Sequence, residues 1–237
     1  MNSIELRIIL NVTLDFFAAI RAGNRQKVEQ LLLLDPSLVH ARERGLTPVL
    51  VAAYHFHMDL ANFLADKTVV LNIFEAAATG RITHLARILA RTPDLVNTFS
   101  EDGLHPLALA CFYGHVDAAL YLIRAGASLN APTNNAWQAT ALHLATMNRH
   151  AEIVRLLLEH GANPNVRQRG GLTPLHLAAA NNDVQIIQML ILGGADLHIR
   201  SNDGKLPVTL ARELGNEQAM DLLQREITKR LRIGTGK

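Results

Sequence analysis

One cysteine, Cys111, in 237 residues leaves no internal disulfide framework and fits a reducing compartment, so a cytoplasmic location is expected. Aromatic side chains are scarce at 5% while apolar residues reach 49%, so the core must be built from Leu, Ile, Val and Ala rather than large rings. Neither sign of charge dominates: 23 Lys and Arg against 21 Asp and Glu give a net +2, too little for a strong field toward polyanions. No run of about 18 uncharged apolar residues is present, so no transmembrane segment is expected. The apolar stretch Ile8 to Leu10 is too short for a secretory leader and follows Glu5. Phosphate-binding loops of the type G-x-x-x-x-G-K-[ST], G-x-S-x-G elbows and H-E-x-x-H helices are all missing. The chain therefore reads as a non-enzyme with no cofactor and no metal.

What the chain does have is a period. Leu142-His143-Leu144-Ala145, Leu175-His176-Leu177-Ala178 and Val208-Thr209-Leu210-Ala211 align at spacings of 33 and 33 residues. The same register carried backward meets Ala110, Ala76, Ala52 and Ala19 at spacings of 35, 34, 24 and 33. Gly126-Ala127, Gly161-Ala162 and Gly194-Ala195 recur independently. Each unit reads as helix, tight turn, helix and extended loop. In the sixth, Thr173 is the N-cap, Pro174 the first helical residue, and Asn181-Asn182 the break. Val184, Ile187, Leu190 and Ile191 then form one apolar stripe, which Gly194 closes. Asp102-Gly103, Gly170-Gly171 and Asp203-Gly204 are turn signals that predict projecting hairpin tips.

These residues resemble the ankyrin repeat. Gly171-Leu172-Thr173-Pro174-Leu175-His176-Leu177-Ala178-Ala179 is similar to that family's G-x-T-P-L-H-L-A-A signature, and His115 and His150 occupy its G-H turn. Gly126-Ala127-Ser128-Leu129-Asn130-Ala131 and Gly161-Ala162-Asn163-Pro164-Asn165 look like its repeat ending. The resemblance implies an all-α ankyrin-repeat solenoid of about seven helix-turn-helix units with short hairpin loops. The units fall at approximately 14–43, 44–67, 68–100, 101–133, 134–168, 169–201 and 202–225. Residues 1–13 form an N-terminal cap or a frayed segment, and 226–237 a basic C-terminal tail.

Departures from the pattern carry expectations of their own. The 24-residue spacing leaves residues 67–72 too short for a hairpin, so an irregular junction and the weakest interface are expected near Val69. His105-Pro106 and Leu206-Pro207 stand in place of Thr-Pro; loss of the hydroxyl cap should weaken those helix starts by roughly 0.5 to 2 kcal/mol each. The loop Thr133 to Trp137 carries two extra residues and should protrude.

Eleven histidines suggest metal or base chemistry, but His143 and His176 share one slot of successive units, and His57, His115 and His150 share another, as a structural requirement would. His55-x-His57 has no cysteine or carboxylate cluster beside it. Cys111, four residues before His115, aligns with Ala53, Ala77 and Ala179, which points to packing rather than nucleophilic chemistry. Asn130 and Asn165 match the family position open to asparaginyl hydroxylation, and the same residues serve to order the loop.

In a stack of repeats the apolar stripe is committed to neighbours, so a partner meets the inner helices and loop tips. The resemblance implies a protein-protein interaction module, scaffold or adaptor, acting as a monomer on a protein partner. Its expected contact residues are Tyr54, His55, Phe99, Phe112, Tyr113, Trp137, Met147, Asn148, Arg167, Arg169, Asn181 and Arg200. For Trp137 and Phe99 the alternative is that they fold back into the core. Two other readings stay open: a regulatory inhibitor or host-directed effector using the same surface, and nucleic-acid or acidic-surface binding through Arg225, Lys229, Arg230, Arg232 and Lys237, supplemented by Arg167, Arg169 and Arg200 at successive loop tips. Of the partner classes, nucleic acid is the less favoured.

Overall fold

The structure, a computed structural model, describes residues 3–234, with side chains from 11 to 231. Among the described residues there are fourteen α-helices, two short 3-10 helices and no strand. The α-helices follow one another as seven pairs. They are α1 (Ser3–Arg21) and α2 (Arg25–Leu34), α3 (Pro48–Tyr54) and α4 (Met58–Lys67), α5 (Ile73–Ala78) and α6 (Ile82–Arg91), and α7 (Pro106–Tyr113) and α8 (Val116–Arg124). The last three pairs are α9 (Ala141–Met147) and α10 (Ala151–Glu159), α11 (Pro174–Ala180) and α12 (Val184–Leu192), and α13 (Pro207–Glu213) and α14 (Glu217–Gly234). The all-α repeat architecture predicted by the period is therefore present. The stretch 1–13 is helical from Ser3, within α1, and the basic stretch after 226 continues α14 to Gly234.

Contacts divide the chain into two compact units, residues 1–91 and 92–237. In the first, α1 packs on α3 and α3 on α5, while α2, α4 and α6 each pack on their own partner. In the second, α7, α9, α11 and α13 pack successively as an inner layer, backed by α8, α10, α12 and α14. Small residues at the recurring slot, among them Ala52, Ala76, Ala110, Ala145, Ala178 and Ala211, are all fully buried, which is what lets successive inner helices approach. The first unit departs from the aliphatic core in one place: Phe16 and Phe17 of α1 are both buried, edge to face at 5.7 Å.

Helix starts follow two different rules. Thr47, Thr140 and Thr173 cap α3, α9 and α11, and in α9 and α11 the cap is reciprocal with His143 and His176. Before α5, where no Thr-Pro occurs, Asn72 and Glu75 form a capping box instead: the Asn72 side chain accepts from the Phe74 and Glu75 N–H groups while Glu75 accepts from Asn72 N–H. That box closes the short connection 68–72, which lies inside the first unit and leaves Val69 and Val70 exposed.

His105 corrects an expectation. Its Nδ1 accepts from the Ala108 N–H at 3.1 Å and its Nε2 donates to the Ala131 carbonyl at 3.2 Å, so the ring replaces the missing hydroxyl cap and also ties its unit to the next loop. Leu206, by contrast, provides no side-chain cap for α13.

The loop tips carry hairpin-like hydrogen bonds without forming strands. Ser100 donates to Leu104, Gln168 to Leu172 and Ser201 to Lys205 within a tip, and Asn134 to Gly103, Arg169 to Trp137 and Asn202 to Gly170 between adjacent tips. Below the tips, asparagines repeat as stitches. Asn97, Asn130 and Asn165 use their side-chain oxygens to accept from Ser128, Asn163 and Asp196 N–H, while the amides of Asn97 and Asn165 donate to the Gly126 and Gly194 carbonyls. The loop-ordering role of Asn130 and Asn165 is thus visible, and Asn97 shares it. Asn165→Ala is expected to cost about 1–2 kcal/mol in chemical denaturation, since both of its stitches are lost together.

Candidate partner-binding face

Each histidine slot has a specific structural task. His143 Nδ1 accepts from the Thr140 backbone N–H at 3.2 Å and lies 2.8 Å from the Thr140 hydroxyl, while Nε2 donates to the Leu172 carbonyl at 3.1 Å. His176 repeats the arrangement with Thr173 and the Lys205 carbonyl. An Nδ1 that accepts and an Nε2 that donates define a neutral ring, and burial holds the pKa of His143 down to about 4 and lowers those of His105 and His176. In the second slot, His57 and His150 lie flat against Gly23 and Gly114, where an added Cβ would come within 2.7 Å of either ring, and they donate to the Arg21 and Phe112 carbonyls. Cys111 is fully buried, which pushes its thiol pKa up and removes it from nucleophilic chemistry. Among the described residues no three His, Cys, Asp or Glu side chains converge on a metal position.

With those groups assigned to structure, the surface that remains is the inner layer and its tips in the second unit. Trp137 is 57% exposed and Met147 37%, and with Ala139, His143, Leu144, Gln168 and Leu177 they line a cleft of about 210 Å³ between α9, α11 and the tips before them. This volume lies below the ~300–1,000 Å³ of small-molecule sites and suits a single inserted side chain. Trp137 is held in place by its backbone: its N–H donates to the Asn135 side chain and its carbonyl accepts from Arg169 N–H. The alternative of a tryptophan folded into the core is not what occurs, since more than half of Trp137 remains exposed. Phe99 is also exposed, at 44%, with its ring edge-on to His105 at 6.0 Å.

The other expected contact residues separate by what their side chains already do. Phe112 is half-buried and packs partly against the cluster of Ala108, Ala139 and Leu144, with Tyr113 edge-on to it at 4.9 Å. The buried Tyr113 hydroxyl has no hydrogen-bond partner among the described residues, and burial with the nearby Asp102 charge raises its pKa. The Asn148 amide donates to the Leu144 carbonyl, and the Asn181 amide to the Thr146 and Met147 carbonyls, clamping α11 to α9. Arg167 donates to the Gly171 carbonyl and the Asn202 side chain, and Arg200 to the Gly204 carbonyl; the side chain of Arg169 is exposed. Tyr54 and His55 belong to the first unit, where they border a separate cleft of about 380 Å³ with Arg21 and Glu43. Leu177, Gln168 and Arg149, whose guanidinium donates to the Asn181 carbonyl, were missed by the sequence reading, although Leu177 occupies the slot of Leu144 one unit earlier.

In the basic C-terminal stretch, Arg225 pairs with Asp221 at 4.0 Å and Lys229 with Glu226 at 3.9 Å, while the Arg232 side chain and Lys237 lie outside the described residues. No described helix is long and apolar enough to cross a membrane.

The recurring Thr-His box, the flat glycine-histidine contact and the asparagine stitches are the marks of one repeat type, and a family model described as ankyrin repeats, in three copies, matches residues 16–133, 73–168 and 131–201. The chain belongs to the ankyrin-repeat family. It is 34% identical over 134 residues to ankyrin repeat and SAM domain-containing protein 6 of Rattus norvegicus, covering 52% of this chain and 15% of that protein. It is 30% identical over 181 residues to the ankyrin repeat protein YahD of Escherichia coli (strain K12), covering 70% of this chain and 88% of the bacterial one. It is 28% identical over 155 residues to SH3 and multiple ankyrin repeat domains protein 2 of Homo sapiens, covering 65% of this chain and 7% of that protein. The chain thus spans a small part of the two animal relatives and most of the bacterial one. Ankyrin repeats are generally protein-protein interaction modules, and the family is typically non-enzymatic.

Proposed function

We propose that this ankyrin-repeat chain is a binding module, scaffold or adaptor in kind, that acts without catalysis and holds a protein partner against the inner helices and loop tips of residues 92–237. The observation that carries this reading is the Trp137–Met147 cleft. In a chain with only 5% aromatics, its single tryptophan is 57% exposed at the mouth of an apolar recess rather than buried. Large aromatic and thioether side chains bury much area at low conformational cost, and they dominate interface energetics for that reason. A monomer in the cytoplasm is the simplest setting, given one buried thiol. The partner-binding set is led by Trp137, Met147, Phe99 and Arg169. Arg167 and Arg200 flank it, and Phe112, Tyr113, Asn148 and Asn181 hold it in shape. Tyr54 and His55 would serve a second contact in the first unit.

Regulatory inhibition or action as an effector would use the same surface. Nucleic-acid binding through α14 is disfavoured, because two of its cations are paired with carboxylates of the same helix.

The test is quantitative capture from the source cells with tagged wild type, a Trp137→Ala/Met147→Ala variant and a Leu192→Ala variant, Leu192 being an 88% exposed residue of outer helix α12. The inner-face variant should lose about tenfold or more of a specific partner by mass spectrometry while the outer-face variant retains it. Equal capture by all three would sink the reading.

A further inference from the structure

The cleft is mostly apolar, with Gln168 and the buried His143 as its polar lining, and four arginines neighbour its residues. Gln168 lines the cleft, and Arg167 and Arg169 flank it in the chain. The Arg169 N–H is bonded to the Trp137 carbonyl, which sets its backbone beside that of Trp137, and its side chain is exposed. Arg149 follows Met147 by two residues, and Arg200 stands on the next tip, where Asn202 N–H donates to Gly170. All four arginines are exposed. None is within ion-pair distance of a carboxylate among the described residues: Arg149, Arg167 and Arg200 donate to neutral oxygens. The acidic residues of the neighbouring tip and helix, Asp203 and Glu213, are engaged by Lys205 at 3.5 and 2.5 Å and do not offset them. Among the described residues Arg21, Arg25, Arg155 and Arg225 have acidic partners and Arg42, Arg87, Arg124 and Arg212 do not, so what sets the four apart is that they neighbour the cleft residues in the chain or on adjacent tips.

Four exposed guanidiniums without carboxylate partners among the described residues, carried by residues next to a mostly apolar recess, present a surface of two parts, which a ligand of two parts complements. We infer that the cleft receives one large apolar side chain, Phe or Leu in size, carried by an acidic peptide segment whose carboxylates lie along Arg149, Arg167, Arg169 and Arg200. Guanidiniums bind carboxylates bidentately, and those already fixed on neutral acceptors lose less freedom on doing so. The recess volume of about 210 Å³ limits the anchor to one residue. This inference rests on the proposed function and adds the partner's chemistry to it.

Trp137 is the only tryptophan, so its emission reports the cleft directly in the full chain. The probe is a synthetic peptide of about a dozen residues, Glu and Asp around one central Phe, without Trp or Tyr. A saturable change in Trp137 emission is expected with a dissociation constant of about 10–100 µM. Replacing the central Phe by Ala, or all acidic residues by their amides, should each weaken binding by about tenfold or more. Arg169→Glu and Met147→Glu, both at exposed positions that leave Trp137 in place, should weaken it by about threefold and about tenfold, and raising salt from ~50 to ~300 mM should weaken it severalfold. Absence of saturation, equal binding of the amide peptide, or an oligonucleotide that moves Trp137 emission at lower concentration than the peptide would each overturn the inference. If the cell-derived partner still requires Trp137 and Met147 while the acidic peptide does not bind, the proposed function stands and only the partner chemistry fails. If neither depends on the cleft, both fall.

Discussion

Gly103→Ala should destabilise the second unit by about 3 kcal/mol or more. Gly103 has φ +80°, and a Cβ there would sit 2.2 Å from the backbone carbonyl oxygen of Asn134. The obstacle is main chain rather than a flexible side-chain end, and it is fixed by the hydrogen bond from Asn134 N–H to the Gly103 carbonyl at 2.7 Å. To accommodate the methyl group, two adjacent loop tips must separate. Gly161→Ala is the control: φ is +89° but nothing lies within 4 Å of the added carbon, so only the conformational cost of about 1 kcal/mol applies. Urea denaturation followed by far-UV dichroism should place Gly103→Ala well below Gly161→Ala in midpoint. Equal midpoints would show that the tip contact carries no stability.

Acid should weaken the repeat stack well before carboxylates titrate. The rings of His105, His143 and His176 are buried and neutral, with Nδ1 accepting and Nε2 donating, so a proton on Nδ1 would expel the N–H groups it accepts from. Burial lowers all three pKa values, His143 to about 4 from an ordinary 6.5. At these three positions the unfolded chain therefore takes up protons at higher pH than the folded chain does. Stability from His143 is complete above pH 6.5, declines by up to about 1.4 kcal/mol per unit as pH falls toward 4, and is flat below that. For His143 alone the loss amounts to about 3 kcal/mol, with His105 and His176 adding in the same direction. Denaturation midpoints at pH 7 and pH 5 should differ accordingly, and the Cε1 proton of His143 should show almost no titration shift between those values in NMR spectra. Rings that titrate near 6.5 in the folded protein would refute the account.

The helix pairs were readable because a repeat imposes the same packing problem on every unit. Ala52, Ala76, Ala110 and Ala145 recur since each must admit a neighbouring helix, and His143 and His176 recur since each must bridge a threonine to the next loop. Local capping chemistry was only partly readable. Asn72 and Glu75 stand three residues apart as a box requires, but that spacing was overshadowed by the missing Thr-Pro; His105 looked like a lost cap because its ring reach is not evident from residue type. The candidate face was least readable. Phe112 and Trp137 are both aromatic residues outside the apolar stripes, yet one packs against Ala108 and Leu144 at the end of α7 and the other stays exposed on a loop tip. The amides of Asn148 and Asn181 appeared available for a partner and are occupied by carbonyls of α9.

By itself, the amino-acid sequence determined the repeat type, the number of helix pairs and which residues are buried within each pair, because those follow from short-range periodicity and from steric demands identical in every unit. Tertiary structure alone decided which aromatic side chains remain on the surface, which amides are already taken by a neighbouring repeat, and that Trp137 and Met147 share one recess. Exposure and hydrogen bonding of a side chain depend on the neighbouring repeat's loop and inner helix, some thirty residues away in the chain, and no local pattern encodes that distance.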